Sequence, residues 1–117
     1  MPDTHRIPND QLASYFAGVT KHFLRGQSTD AITVEVISPE IGDQFELAGS
    51  PLNGITFDPK DNALEFAFDS GTHRIYRPRE VWSAESPDGF PHTIEVIRPD
   101  GTREIAVMQR LGVQRAD

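Results

Sequence analysis

Apolar residues at Leu12, Tyr15, Phe16, Val19 and Phe23 recur three or four positions apart, the spacing that lines one face of an α-helix. Pro8 presets φ for a first turn, Asn9 and Asp10 place capping or dipole-favourable groups there, and Gly26 follows Arg25 as a C-terminal stop. The pattern predicts one amphipathic helix over about residues 9–25. A helix of that length is marginal alone in water, so its apolar stripe must pack on the rest of the chain.

From residue 31 the period drops to two. Ile32, Val34 and Val36 alternate with Thr33 and Glu35, and Phe45 and Leu47 alternate with Gln44 and Glu46. Ser38-Pro39-Glu40-Ile41-Gly42-Asp43 reads as the hairpin loop between them, and Gly49-Ser50-Pro51 as the end of that unit. A third strand around Gly54-Ile55-Thr56-Phe57 meets the turn Asp58-Pro59-Lys60-Asp61-Asn62, and a fourth points Leu64, Phe66 and Phe68 to one face. A shorter strand over about residues 73–77 is ended, or confined to an edge, by Pro78. Residues 83–91 read as the longest irregular connection. In the last hairpin Ile94 and Val96 precede the turn Pro99-Asp100-Gly101-Thr102, and Ile105 and Val107 follow with Glu104 and Ala106 facing outward. Residues 111–117 read as a frayed tail.

A helix followed by antiparallel strands with tight turns, and no strand–helix–strand crossover, predicts an α+β fold. The expected architecture is one domain, residues 1–117, with the helix packed on a six- or seven-stranded antiparallel sheet spanning about residues 31–109. A small, partly closed barrel of Sm-like or SH3-like topology is the alternative, an analogy of topology that carries no function.

Composition narrows the classes. The 117 residues contain no Cys, which removes disulfide scaffolds, Cys-ligated zinc and thiol chemistry and fits a reducing, cytoplasmic setting. No apolar run reaches the roughly 18 residues of a membrane span. A formal net charge of −7 disfavours nucleic acid and anionic membranes as partners, because affinity for phosphate backbones rests on Lys and Arg. The charge is uneven: residues 30–70 hold nine acids against Lys60 alone, whereas residues 71–117 hold seven acids and seven Arg.

That division draws attention to His73-Arg74-Ile75-Tyr76-Arg77-Pro78-Arg79. Arg74, Tyr76, Arg77 and Arg79, with Trp82 nearby, are the candidate ligand-binding residues, since the guanidinium fork suits a carboxylate or phosphate and the aromatics can stack. Against this, alternation sends Arg74 and Tyr76 to one face and His73, Ile75 and Arg77 to the other, and nearby acids offer ion-pair partners. Glu35, Glu46, Glu65, Glu95 and Glu104 occupy outward strand positions and read as a solvated face. Phe90, Trp82, Tyr76 and Ile37 are placed on neither face by the alternation, and stand either as a partner surface or as a satellite cluster under the 83–91 loop. The four His show no metal-ligand spacing, no catalytic motif is present, and no cofactor or metal is expected.

Several blocks carry a resemblance: Arg6-Ile7-Pro8, Tyr15-Phe16, the P-E-x-G-x-Q block Pro39-Glu40-Ile41-Gly42-Asp43-Gln44, the P-L-x-G-[IV] block Pro51-Leu52-Asn53-Gly54-Ile55, and His73 near Pro78. Together they resemble a family of small bacterial proteins known as a domain of unknown function. The resemblance implies a single-domain bacterial protein with no assigned activity, cofactor or catalytic residue. The Arg-rich run at 74–79 departs from that pattern. The sequence thus points to a non-catalytic binding or protein-interaction module, with a protein partner or a second copy as its ligand. The alternative is a small anionic-ligand-binding protein or hydrolase-like enzyme using the Arg74–Arg79 segment.

Overall fold

The computed structural model describes residues 3–24, 32–37, 45–68 and 71–110. Strand β1 (Asp3–Ile7) leads into a 3-10 turn (Asn9–Gln11), helix α1 (Leu12–Val19) and a π-helical turn (Thr20–Leu24). Seven strands follow: β2 (Ile32–Ile37), β3 (Phe45–Asp58), β4 (Ala63–Phe68), β5 (Gly71–Tyr76), β6 (Glu80–Glu85), β7 (Pro91–Ile97) and β8 (Arg103–Arg110). The α+β fold with a single helical segment over antiparallel strands is the one the periodicities predict. The frayed tail, the Ser38–Asp43 loop and the Gly26 helix stop lie outside the described residues.

The strands hydrogen-bond in the order β1-β6-β7-β8-β2-β3-β4-β5, every described pair antiparallel. Among the described residues β1 and β5 stand at opposite ends of this order, so the sheet stays open and the barrel alternative is not realised. The 14-residue β3 joins two antiparallel sheets. Its first half pairs with β2 as far as Thr33↔Pro51, and its second half pairs with β4 from Leu52↔Phe68 onward. Gly49-Ser50-Pro51 therefore does not end a strand. It marks where β3 changes partners, a position at which a residue without an N–H is tolerated because the ladder is being handed over.

Eight strands, not six or seven, arise because two were hidden and two were one. Among the described side chains of β1 only Ile7 is buried, and the polar run before it carries no apolar alternation to reveal the strand. In β6 the inward positions are Val81 and Ser83, and the serine disguises the period. The irregular connection then shrinks to a turn, with the Ser86 amide donating to the Phe90 carbonyl and the Gly89 amide to that of Ser86, both at 2.8 Å.

Leu12, Phe16 and Val19 of α1 are buried against Ile55, Leu64, Phe66, Val81, Ile94 and Val96, forming one cluster with residues of both sheets. Each such side chain stabilises the fold by about 1.5–3 kcal/mol relative to exposure. Phe90 is part of this core, 3% exposed and edge-on to Phe23 at 5.3 Å between centroids, so it belongs to no partner surface. The helix is further fixed by Thr20. Its Oγ1 donates to the Ile55 carbonyl at 2.7 Å and accepts from the Ile55 amide at 3.0 Å, satisfying backbone groups of β3 that β4 does not use. Asn9 does not cap the helix; its side-chain amide reaches the Arg79 carbonyl at 3.5 Å.

Candidate functional site: a cleft between two turns

The β3–β4 turn is shaped by Asp58, whose Oδ1 accepts the Lys60 amide at 2.9 Å, an Asx turn of the kind the Asp-Pro-Lys-Asp-Asn run favours. Asn62 closes it at φ 52°, and its carbonyl accepts the Arg77 amide at 2.7 Å. Arg77 is itself at φ 51°, a conformation that costs a side-chain-bearing residue on the order of 1 kcal/mol and that turns the chain out of β5 ahead of the buried Pro78. Asp61 and Arg77 thereby share one lip.

The opposing lip is the β7–β8 turn. The Arg98 amide donates to the Thr102 carbonyl at 2.8 Å and the Gly101 amide to the Arg98 carbonyl at 2.9 Å, with Gly101 at φ 90°, where glycine is required. Asp100 Oδ1 accepts both the Thr102 amide (3.0 Å) and its hydroxyl (2.7 Å). These bonds hold the Asp100 carboxyl below its ordinary pKa. Between the lips lies a cleft of about 570 Å³ lined by Asp61, Tyr76, Arg77, Arg98, Pro99 and Asp100. Each lip contributes one arginine and one aspartate. The volume falls within the roughly 300–1,000 Å³ of small-ligand pockets.

Arg98 also belongs to a buried bridge between the two sheets. Glu104 of β8 is 4% exposed; its Oε2 accepts from Arg98 at 3.1 Å and its Oε1 meets His73 Nε2 of β5 at 2.9 Å. The expected outward position of Glu104 is thus overturned. Register explains it: Val96 faces Glu104 and Ile94 faces Ala106 across the β7–β8 ladder, and directly opposed residues share a face. A carboxylate on the core face must be paired, and His73 and Arg98 pair it. Of the other carboxylates expected on a solvated face, Glu65 pairs with Arg74 and Glu95 with Arg103, and the side chains of Glu35 and Glu46 lie outside the described residues.

The five candidate residues divide. Tyr76, 54% exposed, and Arg77 meet at the cleft, and the Arg77 side chain makes no ion pair among the described residues. Arg74 lies on the exposed face and donates from Nε to Glu65 Oε2 at 2.9 Å, which together with Tyr76 raises its pKa further. Arg79 is exposed and does not line the cleft. Trp82 donates to Glu80 at 3.0 Å and lines a separate hollow of about 70 Å³ with Thr4, Ser83, Ala84, Thr93 and Glu95. Asp61, Arg98 and Asp100 went unread as site residues because they sit on turns 15 or more positions from the Tyr76–Arg77 pair and nothing local joins them.

A second polar cluster ties the helix to β6. The Tyr15 hydroxyl donates to Glu85 Oε2 at 2.5 Å and lies 2.7 Å from the Ser83 hydroxyl, which is fully buried, and His5 Nε2 stands 3.9 Å from the same carboxylate oxygen. Burial, and then the bond to Glu85, push the Tyr15 phenol well above its ordinary pKa. Buried polar side-chain atoms among the described residues all have hydrogen-bond partners. No group of three or more His, Asp or Glu among them is arranged to hold a metal ion. No described helix is long and apolar enough to cross a membrane.

The fold and cleft define a small α+β protein with two linked antiparallel sheets and a mixed-charge cleft. The chain matches the family of unknown function DUF5335 over residues 3–112 and belongs to it. It is 40% identical over 103 residues to an uncharacterized protein of Aquifex aeolicus (strain VF5), a match that covers 87% of this chain and 88% of that one. No solved structure matches.

Proposed function

We propose that the protein is a non-catalytic binding module whose cleft between Arg77 and Arg98 takes a small ligand carrying an anionic group. The observation that carries this reading is the Arg77 guanidinium at the cleft, without an ion-pair partner among the described residues, next to the exposed Tyr76 ring. A planar donor fork engages a carboxylate through two parallel, charge-assisted hydrogen bonds, and an adjacent aromatic face covers the apolar part of the ligand. Arg98 lines the opposite lip, held there by its bond to Glu104, which already meets its charge. Arg74, already paired with Glu65, contributes little.

The same geometry favours binding over hydrolysis. Glu104 is engaged by both Arg98 and His73, and the buried Ser83 hydroxyl is engaged by Tyr15. A protein partner held jointly by Tyr76 and Trp82 fits less well, since the two residues line different hollows. Net charge −7 continues to weigh against nucleic acid. Calorimetric titration with succinate and with inorganic phosphate tests the reading. Binding by the native protein that weakens tenfold or more in Arg77→Ala supports it; equal binding by both proteins, or none by either, contradicts it.

A further inference from the structure

The cleft offers more than cations. On one lip Asp61 accompanies Arg77, and on the other Asp100 accompanies Arg98, so its charged groups are two guanidinium and two carboxylate side chains. The Asp61 carboxylate makes no ion pair among the described residues, and Asp100 keeps Oδ2 outside its bonds to Thr102. A ligand bearing only negative charge is held by Arg77 but opposed by Asp61 and Asp100, so it binds more weakly than one that answers both signs. A ligand with both signs meets Arg77 with its anionic end and the two aspartates with its cationic end.

We propose, resting on the anionic-group reading above, that the ligand is a zwitterion with a free carboxylate and a free ammonium on one molecule, an amino acid or a short peptide with both termini free. The carboxylate meets the Arg77 fork, the ammonium lies toward Asp61 and Asp100, and Tyr76 covers the apolar side chain. Turn chemistry holds this arrangement in place: Thr102 fixes Asp100, Glu104 fixes Arg98, and Asn62 fixes the backbone of Arg77. Turns held this way fix where these side chains leave the backbone, which lowers the ordering cost of binding.

The test is calorimetric, with L-phenylalanine and glycylphenylalanine, each also in its N-acetyl and its C-terminal carboxamide form, against the native protein, Asp61→Asn and Arg77→Ala. The expected result is binding of the free zwitterions, weakened at least tenfold by either cap. Asp61→Asn should weaken the free forms several-fold and strengthen the N-acetyl forms, which lose a like-charge repulsion. Whichever free compound binds more tightly identifies the source as amino acid or peptide, and either order supports the proposal. If only the carboxamide cap weakens binding, the zwitterion is wrong and the anion site stands. If binding persists with both caps, or nothing binds while succinate does, the zwitterion is again wrong. If succinate also fails, both readings fall together.

Discussion

Thr20 Oγ1 bonds both the carbonyl (2.7 Å) and the amide (3.0 Å) of Ile55, so one side chain stands where a neighbouring strand would otherwise satisfy β3. The helical segment is thereby fastened at its π-helical turn to the half of β3 that pairs with β4, and Gly54 is packed against the Thr20 methyl, 3.6 Å from where a Cβ would sit. Thr20→Val keeps the shape and strands two buried backbone groups. It should destabilise the fold by about 1–3 kcal/mol in urea unfolding, with Thr20→Ser costing less. A valine variant as stable as the native chain would show that these bonds contribute nothing.

The Glu104 bridge predicts a contrast between two ion pairs. Removing Glu104 takes a buried carboxylate away from Arg98 and the largely buried His73, so Glu104→Ala should cost about 3–5 kcal/mol. Glu95→Ala, which breaks the exposed pair with Arg103, should cost about 0–1 kcal/mol. Denaturation midpoints of the two variants check the ordering, and equal losses would mean that Glu104 is not held in the core.

Alkaline pH should expose the Tyr15 network. The folded state raises the Tyr15 pKa, so the native chain keeps that proton where the unfolded chain releases it, from about pH 10 upward. The stabilisation is complete below that pH and declines as pH rises toward the folded pKa. Stability measured from pH 8 to 11 should fall more steeply for the native protein than for Tyr15→Phe. Parallel curves for native and Tyr15→Phe would refute this.

Core and cleft separate by stability. Phe90→Ala should lose about 3–5 kcal/mol, because its ring fills the core beside Phe23. Tyr76→Ala and Arg77→Ala, both exposed, should stay within about 0.5 kcal/mol of native. Thermal melts decide it: a large loss in Arg77→Ala would mark it as structural, not as a free cleft residue.

The helix stripe and the β4 face were legible because Leu12, Phe16, Val19, Leu64, Phe66 and Phe68 are apolar at their own periods and bury as those periods require. Glu104 was misread because local polarity was followed instead of hairpin register: Ile97↔Arg103 already places Glu104 opposite Val96. The β1 and β6 strands escaped because a strand with few buried apolar side chains has little period to show. Residue type singled out Arg74, Tyr76, Arg77, Arg79 and Trp82 alike, and of these Tyr76 and Arg77 line the cleft. The second lip depends on the two sheets meeting through His73 and Glu104, a tertiary contact that no window of sequence contains.

The cleft between the β3–β4 and β7–β8 turns is the proposed binding site. Backbone amide chemical shifts followed during a succinate titration test it most directly. The expected perturbations concentrate at Asp61, Tyr76, Arg77 and residues 98–102 and are abolished in Arg77→Ala. Shifts centred on Trp82 and its hollow, or none above those of a matched chloride titration, would contradict it.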